Sequence, residues 1–130
     1  MKTDPLSFRK AERIVSQKQI DELFGSHRSQ SMAAFPLRAV YIIKERQEGQ
    51  QPVQILISVP KKRLHHAVDR NRTKRQIREA YRHHKQLLAD TIGSQQAVDI
   101  AFIWLTDQLR PSPQIDNCVK NLLQRIARKL

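Results

Sequence analysis

The densest chemistry in this chain is cationic. Arg70, Asn71, Arg72, Lys74, Arg75, Arg78 and Arg82 crowd into residues 70–82. On a helical wheel at ~100° per residue, Thr73, Ile77, Ala80, Tyr81, His84 and Leu88 gather on one side. Asn71, Lys74, Arg75, Arg78, Arg82 and Lys85 fill the neighbouring sector, with Arg70 at the border and Arg72 and Glu79 on the far side. The cationic stripe therefore runs beside the core stripe, where it can form the wall of a groove. Lys74, Arg75, Arg78 and Arg82 are also neighbours at i+3 and i+4. Like charges at that spacing repel, and phosphates would neutralise them. Glu79 can pair with Arg75 or Arg82 at the same spacing.

Other chemistries find less support. The pairs His65-His66 and His83-His84 invite a metal. Adjacent histidines on a helix point ~100° apart and rarely chelate together. The only cysteine, Cys118, has no CxxC context, and its place one residue before Val119 suits a small buried side chain. The histidines are expected near a phosphate backbone or solvent. Asp69, Asp90, Asp99, Asp107 and Asp116 form no recognisable acid–base pair. No metal site and no hydrolytic centre is expected on the polypeptide.

The elements that must position the basic row follow from periodicity. Ser16 is a fitting N-cap for a first helix carrying Ile20, Leu23 and Phe24, and Gly25 can end it. Residues 27–31 read as loop. Residues 37–44 read as a strand, and Val53, Ile55, Ile57 and Val59 keep strict period-two spacing in a second, which Pro60 should stop. Residues 67–88 read as one long helix. Residues 97–105 read as a strand buried on both faces. Pro111-Ser112-Pro113 is a stop and restart, with Ser112 as N-cap and Pro113 as first helical residue. Ile115, Val119, Leu122, Leu123, Ile126 and Leu130 then make one amphipathic face. The order predicts an α+β fold, a single-domain α/β sandwich of one sheet with helices packed on it.

Composition narrows the partner. The chain has 130 residues, 24 Lys+Arg against 12 Asp+Glu, and a net charge of +12. That length suits one domain, and the charge suits a polyanion, with nucleic acid ahead of an anionic membrane. The apolar run Ile100–Leu105 is far too short to span a bilayer, which needs ~20 residues. The N-terminus shows no apolar signal region. One cysteine and no signal make cytoplasmic residence the expectation.

Arg70-Asn71-Arg72, Lys74-Arg75 and Arg78-Glu79 together resemble the signature helix of the bacterial ribonuclease P protein subunit. Ser58-Val59 and Lys61-Lys62 resemble that family's strand ending in a double lysine. Asp99-Ile100-Ala101-Phe102-Ile103 is similar to its following core strand. Element order and length match over nearly the whole chain. The resemblance implies a four-stranded mixed sheet with a left-handed βαβ crossover, like the second domain of ribosomal protein S5. It implies one RNA-binding domain over residues 1–130, with 1–6 flexible.

The implied activity is that of a ribonucleoprotein that removes the 5′ leader of precursor tRNA by endonucleolytic cleavage. A catalytic RNA subunit holding most of the Mg²⁺ carries out the hydrolysis, in a heterodimeric protein–RNA holoenzyme without a membrane partner. The polypeptide alone would be inactive. By resemblance, Lys61, Lys62, Arg70, Asn71, Arg72, Lys74, Arg75, Arg78 and Arg82 bind RNA. Phe8, Arg9, Arg13, Ile20 and Phe24 belong to the leader cleft, where Phe8, with Arg9, Lys10 and Arg13 nearby, is expected to stand in for the missing ring at Ile20. The alternative is a ribosomal or other structured-RNA binding protein with no processing role. A DNA regulator would want its recognition helix after a tight turn, and a membrane-surface helix would want a large exposed apolar face.

Overall fold

Strand β4 (Gln96–Trp104) is the spine of the molecule. Seven of its nine residues, Ala97 to Phe102 and then Trp104 after the part-exposed Ile103, need cover on both faces, and the chain provides it. A computed structural model describes residues 10–130. Its sheet runs in the order β1-β2-β4-β3, with β1 spanning Gln30–Ala34, β2 Leu37–Glu45 and β3 Val53–Ser58. Strand β4 pairs antiparallel with β2 and parallel with β3. The parallel pair requires a crossover, supplied by α2 (Ala67–His84) and α3 (Gln86–Ala89). Helix α1 spans Gln17–Gly25, and α4, Ser112–Ala127, closes the fold.

The two faces of the sheet are covered unequally. On one, α2 and α4 bury Ile77, Ala80, Tyr81, Ile115, Val119 and Leu122 against Ala39, Tyr41, Ile100, Phe102 and Trp104. On the other, α1 covers a small cluster of Ile14, Leu23, Ile42 and Ala101, flanked by Ile20, Val40 and Leu56. The period-two alternation of the strands produces this division, because successive side chains point to opposite faces. The outer edge of β3 is closed by the preceding segment: Ile14 N–H donates to the Ile55 carbonyl at 2.9 Å.

The structure corrects several expectations. Residues 27–31 are not all loop, since Gln30 and Ser31 open β1. The long helix over 67–88 is interrupted at Lys85, whose ammonium is buried against Glu12 at 2.9 Å; Leu88 still reaches the core from α3. Pro111, not Ser112, is the N-cap of α4. Ser16 does cap α1, its Oγ accepting from Gln19 N–H at 3.4 Å. Gly25 is the last residue of α1 without left-handed backbone; the turn between β2 and β3 uses that conformation instead, at Gly49 with φ 77°. The expectations for residues 1–6, Phe8 and Arg9 lie outside the described residues.

Candidate nucleic-acid interface

Helix α2 rests on the sheet through Thr73, Ile77, Ala80 and Tyr81. That docking fixes where its charges point. Asn71, Arg72 and Arg75 are exposed, while Arg70, Lys74, Arg78 and Arg82 are half-buried. Lys74 and Arg78 face the edge of β3. There they meet Arg13, Ile14, Val15 and Ile57 around a groove of about 170 Å³. Three cations from two distant chain segments thus converge on an apolar-floored groove. Lys61 and Lys62 are exposed in the turn after β3, where the Pro60 carbonyl accepts from Arg63 and Leu64 N–H.

Two members of the basic row are engaged within the protein. Arg70 donates from Nη1 to the Leu64 and His65 carbonyls at 2.9 and 2.8 Å, tying the loop that follows the double lysine to the helix. Arg82 pairs with Glu79, as the spacing predicts, and its guanidinium holds the Glu79 carboxyl below the usual carboxylate range. His84 is not left to solvent alone: its Nε2 lies 2.8 Å from Asp116 Oδ2 of α4, and His83 lies 3.7 Å from the same carboxyl group.

Helix α1 carries two more of the expected cleft residues, Phe24 and Ile20. Phe24 is 49% exposed and, with Arg38, Val40 and Ile103, lines a basin of about 300 Å³. An aromatic left open beside a guanidinium is the equipment for stacking an unpaired base. Ile20 instead packs on the small cluster around Leu23 and Ile42.

Sequence reasoning missed the polar network beneath α1. Asp99, 1% exposed, pairs with Lys44 at 2.8 Å, and Lys44 also reaches Glu22 at 3.4 Å. Gln19 donates to Gln54 at 2.8 Å and to Asp99 at 3.4 Å, and Gln54 donates to the Ala11 carbonyl at 3.0 Å. Burial pulls the Lys44 pKa down, but the hydrogen bond and charge of Asp99, with Glu22, outweigh it and raise the net value. The signal available in the sequence was one polar residue, Asp99, inside an apolar strand.

Among the described residues, no group of three or more His, Cys, Asp or Glu side chains is placed to hold a metal ion. No described helix is long and apolar enough to cross a membrane.

Comparisons with known proteins bear on this arrangement. A family model described as Ribonuclease P matches residues 8–127. The ribonuclease P protein component of Porphyromonas gingivalis is 36% identical over 128 residues, covering 96% of this chain and 91% of that protein. The Chlorobium phaeobacteroides component is 41% identical over 85 residues, covering 63% of this chain and 56% of that protein. The structure of the Staphylococcus aureus RNase P protein superposes with a TM-score of 0.69 at 25% identity, covering 90% of this chain and 96% of that one. The Thermotoga maritima protein shares the fold, with a TM-score of 0.66 at 21% identity over 88% of this chain and 96% of that one. The signature residues on α2, the mixed sheet beneath them and these matches along the chain's length show that it belongs to the ribonuclease P protein family, whose members are subunits of the tRNA 5′-processing enzyme.

Proposed function

We propose that this polypeptide binds the catalytic RNA of ribonuclease P through α2 and the double lysine, and guides the single-stranded leader of precursor tRNA along the α1 face. The RNA-binding set is Lys61, Lys62, Arg72, Lys74, Arg75 and Arg78, with Asn71 beside them. Arg70 and Arg82 contribute through what they already hold, the 64–65 loop and Glu79. The observation that carries the reading is the convergence of Lys74, Arg78 and Arg13 on one groove. Clustered like charge is unfavourable in the free protein and becomes favourable when phosphates displace counterions.

The catalytic centre then belongs to the RNA subunit, and the Mg²⁺ is held mainly there. The polypeptide supplies position and charge: it lowers repulsion between the two RNAs and holds the leader in place. Cytoplasmic residence follows from that partnership. The test is reconstitution. Added to a ribonuclease P RNA, the protein should raise cleavage of precursor tRNA at low Mg²⁺, while the purified protein without RNA should cleave nothing. Cleavage by RNA-free protein would overturn the assignment of catalysis. An unchanged reaction at low Mg²⁺ would favour a structured-RNA binder with no processing role.

A further inference from the structure

The β1–β2 turn presents an aromatic that neither the core nor the α1 cleft uses. Phe35 is 57% exposed, and the Arg110 guanidinium carbon lies over its ring, 4.9 Å from the centroid. The backbone around both is fixed. Gln76 of α2 donates from Nε2 to the Arg110 carbonyl at 3.1 Å and to Ser112 Oγ at 3.0 Å. Leu105 N–H donates to the Pro36 carbonyl at 3.0 Å. Arg110 Nε is buried without a hydrogen-bond partner, so its packing against the ring is not dictated by a bond from that atom.

Cations lie on the segments tied to this pair. Arg63 reaches Asp107 at 3.4 Å, which brings the turn carrying Lys61 and Lys62 beside the same connection. Arg72 stands four residues before Gln76 and so shares its helix face. An apolar protein partner would have to desolvate these charges. A nucleic acid would neutralise them while offering a flat base to the ring, and every base has a face that stacks on an aromatic.

We propose that Phe35, backed by Arg110, is a stacking platform for an unpaired base of the RNA subunit. This rests on the RNA-binding reading above. The RNA subunit is chosen over the leader because the platform is tied to α2 and to the start of α4, on the side of the sheet opposite α1. Arg72, exposed on the Gln76 side, then serves this platform, whereas Lys74 and Arg78 serve the β3 groove.

The test compares full-length Phe35→Ala, Phe35→Leu and Phe35→Trp for binding to the cognate ribonuclease P RNA, each with a thermal melt. Loss of the ring should weaken binding about 5- to 150-fold. Phe35→Trp should bind at least as well as the wild type. Melting temperature and salt slope should hold in all three, because neither packing nor a phosphate contact is removed. Wild-type affinity in Phe35→Leu would overturn the proposal. So would a lowered melting temperature with equal loss in Phe35→Trp, which would mark a packing role. A loss confined to binding of leader-bearing precursor by the holoenzyme would move the contact to the leader and overturn the assignment to the RNA subunit. Arg78→Gln separates the two levels. If it weakens RNA binding while Phe35→Leu does not, this inference alone fails; if neither does, the RNA-binding reading fails as well.

Discussion

The two faces of the sheet solve opposite problems. The face under α2 and α4 is closed and apolar, built on Phe102, Trp104, Tyr41 and Tyr81, each no more than 1% exposed. The face under α1 has a small apolar patch, a buried ion pair and an exposed ring. The first face makes the protein stable and leaves its cations only at the rim. The second gives up apolar cover and gains an open, polar-floored surface. Recognition of a flexible strand needs the second kind of surface, and holding a like-charged helix in place needs the first. Large-to-small changes on the closed face should therefore alter stability before binding, and changes at the exposed residues of the open face, Phe24 above all, should do the reverse.

Phe102→Ala should show the largest effect. It empties a site enclosed by both neighbouring strands and by Tyr81, whose ring centroid is 6.4 Å away. A loss of about 3–5 kcal/mol is expected in urea unfolding. Leu23→Ala on the open face should fall near the low end, about 2 kcal/mol, because fewer groups surround it. Equal losses at the two positions would erase the asymmetry.

Lys44→Met comes next and reports on the polar floor. It strands the Asp99 carboxylate, and about 1–3 kcal/mol should be lost near neutral pH. That is below the figure for a fully enclosed pair because Lys44 retains solvent contact. The pH dependence has a definite sign. The folded Lys44 pKa is raised above its ordinary 10.5, so its contribution is complete below that pH and fades as pH climbs through the folded value. Burial raises the Tyr81 phenol as well, which adds to the alkaline loss in the same direction. Urea melts from pH 8 to pH 11 should show stability falling above about pH 10, less steeply in Lys44→Met. A steeper alkaline fall in the variant would contradict the raised value.

Phe24→Leu sharpens the comparison from the binding side. It keeps apolar volume and removes the stacking face. Affinity for leader-bearing precursor tRNA should drop by about 1–3 kcal/mol relative to mature tRNA, with the melting temperature nearly unchanged. Wild-type discrimination in this variant would remove Phe24 from the cleft.

Most of the closed face was legible from periodicity, since Ile77, Ala80 and Tyr81 on α2 and the alternating residues of β3 announce which way they point. The open face was not. Strand β1, with Gln30, Ser31, Ala33 and Ala34, has weak β-formers and exists because β2 offers it a pairing edge. The break at Lys85 is invisible to the 3.6-residue pattern, because Leu88 keeps phase and the Glu12 partner comes from far along the chain. The Asp99 network draws on α1, β2, β3 and β4, so no spacing within one segment reveals it.

The smallest expected effect separates the cations of the groove from those of the outer helix face. Arg78 lines the β3 groove with Lys74 and Arg13, whereas Arg75 is exposed on the outward surface of α2. Arg78→Gln and Arg75→Gln should each change stability by no more than about 0.5 kcal/mol, because neither side chain fills the core. Removing one repelling charge could even add a few tenths. Binding to the RNA subunit is the sensitive readout. A cation that contacts a phosphate carries about 0.7–0.9 of the log–log salt slope. Arg78→Gln should therefore flatten the slope by about that amount. If the groove grips the backbone more closely than the outer surface does, Arg75→Gln should flatten it less. Identical slopes for the two variants would mean the RNA embraces α2 from both sides, and the groove would lose its special place.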